Sequence, residues 1–177
     1  IYKLRNLIFN MNAKIIDGIA IANGIKEQVL DGVQLRLDKK LNPPGLAVVM
    51  VGENPASKVY VAHKKKACEA VGITSKTVNF DIETTQHEVI KIIKQLNENP
   101  CIHGILVQQP LPEHYDLPKI IQTIDPHKDV DGFHPLNIGH LALRHPKLRP
   151  CTPKGIITLL EKTHEDLHGM HVCIVGA

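Results

Sequence analysis

Tyr60 and Lys64 stand four residues apart in a segment of helical spacing, so they share one helix face and can touch the same ligand. A lysine held near a sheet edge beneath an aromatic ring is partly desolvated, which suits an amine to acid–base work near neutral pH. The run Lys64-Lys65-Lys66 also fits a plain solvated basic stripe, and spacing alone leaves both readings open. Asp129 and Asp131 alternate in Lys-Asp-Val-Asp-Gly, so in an extended loop they face the same way. One of them can take paired N–H bonds from a heterocycle, as carboxylates do well. Turn formation by aspartate is the competing account. A calcium loop is excluded by the spacing and by the lack of a third adjacent carboxylate.

Two further patterns carry less. Among the 11 histidines, His164 and His168 are four apart with His171 beyond, but surface histidines are the expected reading and no metal is assigned. Gly52-Glu-Asn-Pro-Ala-Ser-Lys58 has the outline of a phosphate loop without the second glycine before the lysine, and is rejected as one.

The elements that must position these residues follow from periodicity. Asp17 to about Lys40 places Ile21, Ile25, Val29, Val33 and Leu37 at intervals of four, a long helix despite Gly24 and Gly32. Leu46–Val51 is a continuous β-branched run that suits a buried parallel strand. Asn54-Pro55 then opens a helix, as N-cap and first position, that should run to about Val71 and stop at Gly72. Thr77–Phe80 reads as a second strand. Thr85 and Glu88 form a capping box ahead of Val89, Ile92, Ile93 and Leu96. Gly104–Val107 reads as a third strand, Leu117–Ile124 as a short helix and Asp125–Asn137 as loop. Thr152-Pro153 starts a helix expected to bury Ile156, Ile157, Leu159 and Leu160. Alternating strands and helices predict an α/β fold, a parallel sheet with helices on both faces. Ligands in such folds bind beyond the carboxyl ends of strands, where Gly52–Lys66, Gln108–Pro112 and Lys128–His134 all fall.

Composition narrows the class. The 177 residues are 43% hydrophobic and 22% charged, as in ordinary globular proteins. A net charge of +3 from scattered residues, with three Tyr, three Phe and no Trp, argues against nucleic acid. Apolar runs fall far short of the roughly 20 residues that cross a bilayer, so no membrane role is expected. Four dispersed cysteines without a Cys-x-x-Cys pair suggest reduced thiols in a cytoplasmic protein. Residues 1–10 carry no signal-peptide cleavage pattern and are expected to be an extension outside the fold.

Longer strings say more. Val51-Gly-Glu-Asn-Pro-Ala-Ser-Lys-Val-Tyr-Val-Ala-His-Lys64, Gly104-Ile-Leu-Val-Gln-Gln-Pro-Leu-Pro112, Lys128-Asp-Val-Asp-Gly-Phe-His-Pro-Leu-Asn137 and Arg149-Pro-Cys-Thr-Pro-Lys-Gly155 occur in this order. Together they resemble the signatures of the methylenetetrahydrofolate dehydrogenase/cyclohydrolase family, over Met11 to Ala177. The resemblance implies oxidation of 5,10-methylenetetrahydrofolate with NADP and hydrolysis of the methenyl product to 10-formyltetrahydrofolate, in a homodimer. It implies Lys64 as the catalytic lysine and Gln108 as the amide that orients it. It also implies Tyr60 as the ring stacked on the folate, Asp131 as the carboxylate on the pterin edge, and Ser57 as a support beside the lysine. Gln109 departs from the leucine common in the family. The bound methenyl intermediate is a cation, so the resemblance suggests that Lys64 is neutral for part of the cycle or engages the leaving nitrogen or the attacking water.

The expected organisation is a folate-binding catalytic domain over residues 11–150 and a linking helix over 151–169. Residues 170–177 would be the first strand of a Rossmann domain, with Gly176 and Ala177 opening the NADP-binding loop. Two other readings differ in kind: a lyase in which Lys64 forms a Schiff base, and a module that binds folate without turnover.

Overall fold

The computed structural model describes residues 15–163 and 166–175. Helix α1 (Gly18–Asp38) is followed by strand β1 (Gly45–Val51), helix α2 (Pro55–Ala70), strand β2 (Thr74–Phe80), helix α3 (Gln86–Glu98) and strand β3 (Gly104–Val107). Helices α4 (Leu117–Thr123), α5 (Pro135–Ala142) and α6 (Cys151–Thr163) complete the described chain. The strands form one parallel sheet in the order β2-β1-β3.

Central β1 is buried on both faces because its residues are apolar without alternation. On one face Ala47, Val49 and Val51 pack with Ile105 and Val107 against Val89, Ile93 and Leu96 of α3 and Ile120 of α4. On the other, Val48, Met50 and Leu106 meet Val61 of α2. Each such aliphatic side chain, fully buried, contributes on the order of 1.5–3 kcal/mol. The core is therefore centred on β1.

Local signals set the helix ends. Asn54 caps α2 by accepting from Ser57 N at 3.1 Å, and Gly72, at φ +75°, turns the chain from α2 into β2. The capping box at α3 is formed in both directions, Glu88 N donating to Thr85 Oγ1 and Thr85 N to Glu88 Oε2. At the far end of α3, Lys128 Nζ donates to the carbonyls of Leu96, Asn97 and Asn99 at 3.3, 2.6 and 2.9 Å. That ammonium satisfies carbonyls a helix end leaves orphaned and lies at its negative pole.

Helix α1 forms through Gly24 and Gly32 as expected, with Val33 as its one buried residue. Three expectations need correction. Strand β2 starts three residues before Thr77, at Thr74, because it is an edge strand whose polar residues face solvent. Part of the predicted loop Asp125–Asn137 is helix α5, capped by the His134 side chain, which accepts from Leu136 N. In α6, Leu159 and Leu160 are half-buried while Ile156 and Ile157 stay exposed.

His171–Val175 forms no strand, and Val172, Ile174 and Val175 are exposed. A strand needs a neighbouring edge to bond, and no described strand lies beside it. Gly176, Ala177 and residues 1–10 lie outside the described residues.

Candidate active site

The strand order dictates where a crevice opens. From β1 the chain crosses by α2 to β2 on one side, then by α3 to β3 on the other. A topological switch therefore lies at the carboxyl ends of β1 and β3. Gly52, at φ +74°, and Asn54 lead from β1 into α2, while Gln108 directly follows β3 and its amide donates to Val49 O at 2.8 Å. This brings α2 alongside the end of β3.

Lys64, half-buried, donates from Nζ to Gln108 Oε1 at 3.0 Å across a separation of 44 residues. Gln108 Nε2 donates to the Gln109 carbonyl at 2.7 Å, which leaves the amide oxygen as the atom turned to the lysine. The neighbouring lysines behave differently: Lys65 reaches Glu69 at 4.0 Å in solvent and Lys66 is exposed. The basic run thus splits into one lysine turned inward and two on the surface.

The two aspartates also separate. Asp129 is 2% exposed and wholly engaged, Oδ1 accepting from Gly132 N at 3.1 Å and Oδ2 from His134 N and Asn137 Nδ2 at 2.8 and 2.9 Å. Turn formation is therefore the correct account of Asp129, and the two side chains do not face the same way. Asp131 is half-buried, without a hydrogen bond among the described residues, and lines the cleft. Burial pushes its carboxyl up; the Lys64 charge pulls it back down and Asp129 raises it further.

A cavity of about 300 Å³ is lined by Gln108, Gln109, Asp131, Phe133, Cys151 and Thr152, among others. Larger cavities exist elsewhere, including one of about 600 Å³ beside β2. The smaller one holds the convergent polar groups, so chemistry rather than size selects it. Ser57 is 3% exposed and its hydroxyl donates to the Gln109 carbonyl at 3.2 Å, so it braces the backbone that Gln108 also grips. Tyr60 is 61% exposed and does not line this cavity. It stands one helical turn from Lys64 with its ring free to receive a planar ligand. Phe133, Cys151 and Thr152 were missed as cavity residues. They lie inside the quoted strings and are themselves exposed, and nothing in their types or spacing announces that they line this cavity.

His164-Glu-Asp-Leu-His168 has the His-Glu-x-x-His spacing of zinc peptidases, which requires one continuous helix. Helix α6 ends at Thr163 and residues 166–170 are not helical, so His168 does not extend that helix; His164 and Glu165 lie outside the described residues. Among the described residues, no three His, Cys, Asp or Glu side chains cluster to hold a metal ion. No described helix is long and apolar enough to cross a membrane.

The raised Asp131 carboxyl has a consequence for stability. Between the ordinary value of 3.8 and its raised folded value, the folded state binds the proton more tightly than the unfolded chain, so stability falls as pH rises through that window. Above it the ionised, desolvated carboxylate is a standing cost. Asp131→Asn is expected to melt at a higher temperature than the parent at pH 7, with the gap closing as pH falls towards 3.8. A melting temperature unchanged or lowered at pH 7 would remove the desolvation account.

Residues 16–131 match the family of the tetrahydrofolate dehydrogenase/cyclohydrolase catalytic domain. Among solved structures, the bifunctional enzyme FolD of Campylobacter jejuni is 42% identical with a TM-score of 0.82, covering 85% of this chain and 53% of that one. A methylenetetrahydrofolate dehydrogenase of the silkworm Bombyx mori is 34% identical with a TM-score of 0.83, over 85% and 52%. The Trypanosoma brucei dehydrogenase-cyclohydrolase, solved with NADP and an inhibitor, is 34% identical with a TM-score of 0.82, again over 85% and 52%. The chain thus spans about half the length of these relatives. With about two thirds of its residues inside the family's catalytic domain, and its fold shared with the solved relatives, the chain belongs to the tetrahydrofolate dehydrogenase/cyclohydrolase family.

Proposed function

We propose that this cleft hydrolyses 5,10-methenyltetrahydrofolate to 10-formyltetrahydrofolate and, in the whole protein, serves the preceding NADP-dependent oxidation of 5,10-methylenetetrahydrofolate. The observation that carries the reading is the 3.0 Å bond from Lys64 to Gln108, whose side chain lines one cavity with Asp131. The oxidation, the NADP site begun at Gly176 and Ala177, the cytoplasmic setting and the homodimer rest on resemblance to the relatives. NADP would accept the hydride there; the hydrolytic half needs only residues of this chain.

Asp131 accepts N–H bonds from the pterin edge, which its free oxygens and dry surroundings favour. Tyr60 covers the ring face. A water then adds to the methenyl carbon and gives up a proton to the Lys64 amine. The ammonium so formed is held by Gln108 Oε1, an acceptor fixed by its own amide bond to Gln109. The carbinolamine collapses as its hydroxyl proton passes to solvent water, the carbon–N5 bond breaks with its electron pair going to N5, and N5 takes a proton from Lys64. The formyl group stays on N10.

The test is direct. Purified protein added to 5,10-methenyltetrahydrofolate should speed loss of the methenyl absorbance above the buffer rate, with 10-formyltetrahydrofolate as product. A rate equal to buffer, with folate still bound, would make the chain a binding module. A borohydride-trapped adduct on Lys64 would make it a Schiff-base lyase.

A further inference from the structure

We propose that Cys151 is a positioning residue for Asp131, acting through the backbone carbonyl of Val130. This rests on the folate reading, in which Asp131 grips the substrate, and adds to it what holds Asp131 in place.

The Asp131 loop is gripped from two sides. On the inner side, Asp129 pairs with Ile105 in a parallel bridge to β3 and spends its carboxylate on Gly132, His134 and Asn137. On the outer side, the first residue of α6 closes on the loop. Cys151 Sγ donates to Val130 O at 3.2 Å, the carbonyl immediately before Asp131. Next to it the two backbones touch. Gly132 is at φ +71°, and a Cβ there would fall 2.7 Å from Arg149 C and Pro150 N. Asp131 thus sits between a residue whose carbonyl the thiol holds and a glycine pressed on the same segment.

A thiol is a weak donor and must keep its proton to act as one. Although Cys151 is exposed, partial desolvation and the Asp131 charge push its thiol up, with Lys154 and Lys64 pulling it back, and the net shift is upward. Cys151 also lines the cavity with Asp131 and Gln108, so the clasp faces the substrate. Lys64 sits on α2 and Gln108 follows β3, and their own side-chain bonds run to each other and to the Gln109 carbonyl, not to Cys151 or Val130 O. Loosening it should therefore weaken substrate capture and spare the proton transfers.

The experiment compares Cys151→Ala and Cys151→Ser with the parent protein. One weak hydrogen bond corresponds to roughly a 2–10-fold effect. Cys151→Ala is expected to raise KM for 5,10-methenyltetrahydrofolate by that factor while kcat stays within about twofold. Cys151→Ser, whose hydroxyl can donate to the same carbonyl, should restore KM. Amide hydrogen exchange across residues 129–132, measured without substrate, should quicken in the alanine variant and recover in the serine variant. Unchanged exchange in both variants overturns the clasp. Faster exchange with parental KM shows that the thiol holds the loop without positioning Asp131, and a fall in kcat at constant KM places it in the chemistry; either overturns the proposal. If the parent protein itself leaves methenyltetrahydrofolate untouched, the folate reading fails and takes this role with it. The exchange data then still report whether the thiol holds the loop.

Discussion

Lys64→Met is expected to lower the rate of methenyltetrahydrofolate hydrolysis by roughly 10²–10⁴-fold, the usual weight of a positioned acid–base group. The same change should cost only about 1 kcal/mol of stability, from losing the bond to Gln108 Oε1 and the charge that offsets the burial of Asp131. Methionine fills the same length without a titratable atom, so the loss reports on the amine rather than on packing. Lys64→Arg adds the decisive contrast. A guanidinium keeps the positive charge and can still donate to Gln108 Oε1, but it does not give up its proton. If Lys64 shuttles protons between water and N5, arginine is as inactive as methionine. If its charge alone matters, arginine restores most of the rate. Substrate binding, followed by fluorescence or calorimetry, should survive in both variants because Asp131 and Tyr60 are untouched. A methionine variant with parental turnover removes Lys64 from the mechanism.

The contrast between Lys64 and its neighbours also marks what the sequence made legible. Strands β1 and β3, the capping box at Thr85 and the turn at Gly72 are local signals, each written in one short run of residues. The folded chain agrees with all of them. Edge strand β2 was only half visible because Thr74-Ser-Lys76 has the polar look of a loop, and pairing with β1 makes it a strand. Helix α5 was hidden for a similar reason: Pro, Asn, Gly and His are poor helix formers, and a cap at His134 with packing of Asn137 over Asp129 overrides their preference. The C-terminal run His171–Val175 has strand composition and forms no strand here, having no described neighbour to pair with.

Site residues follow the same logic. Spacing placed Tyr60 and Lys64 on one face but did not say which lysine turns inward, since the partner is 44 residues away. Only resemblance in the long strings connected Lys64 to Gln108. Asp129 and Asp131 are indistinguishable by type and alternation. What separates them is a positive-φ glycine next to one and an asparagine eight residues beyond the other. The Cys151 bond was illegible because its acceptor is a carbonyl, which every residue owns.

That separation yields the largest expected effect on stability. Asp129→Ala strips three donors of their acceptor at a site 2% exposed: Gly132 N, His134 N and Asn137 Nδ2. An orphaned buried donor costs about 1–3 kcal/mol, and truncating one partner of a buried charged network costs about 3–5 kcal/mol in total. For a domain of this size that lowers the melting temperature by on the order of 10 °C. Asp129→Asn should fall between, because an amide offers one oxygen where the site uses two, and its NH₂ must face a donor. The loop that Asp129 fixes carries Asp131, so the surviving folded fraction of Asp129→Ala should also bind methenyltetrahydrofolate more weakly. Asp131→Asn, two residues away, is expected to move stability in the opposite direction and weaken binding alone. Thermal and urea melts of the three variants at pH 7 decide the matter. Should Asp129→Ala melt within about 1 °C of the parent, the buried carboxylate does not hold this loop, and the division of labour between the two aspartates is wrong.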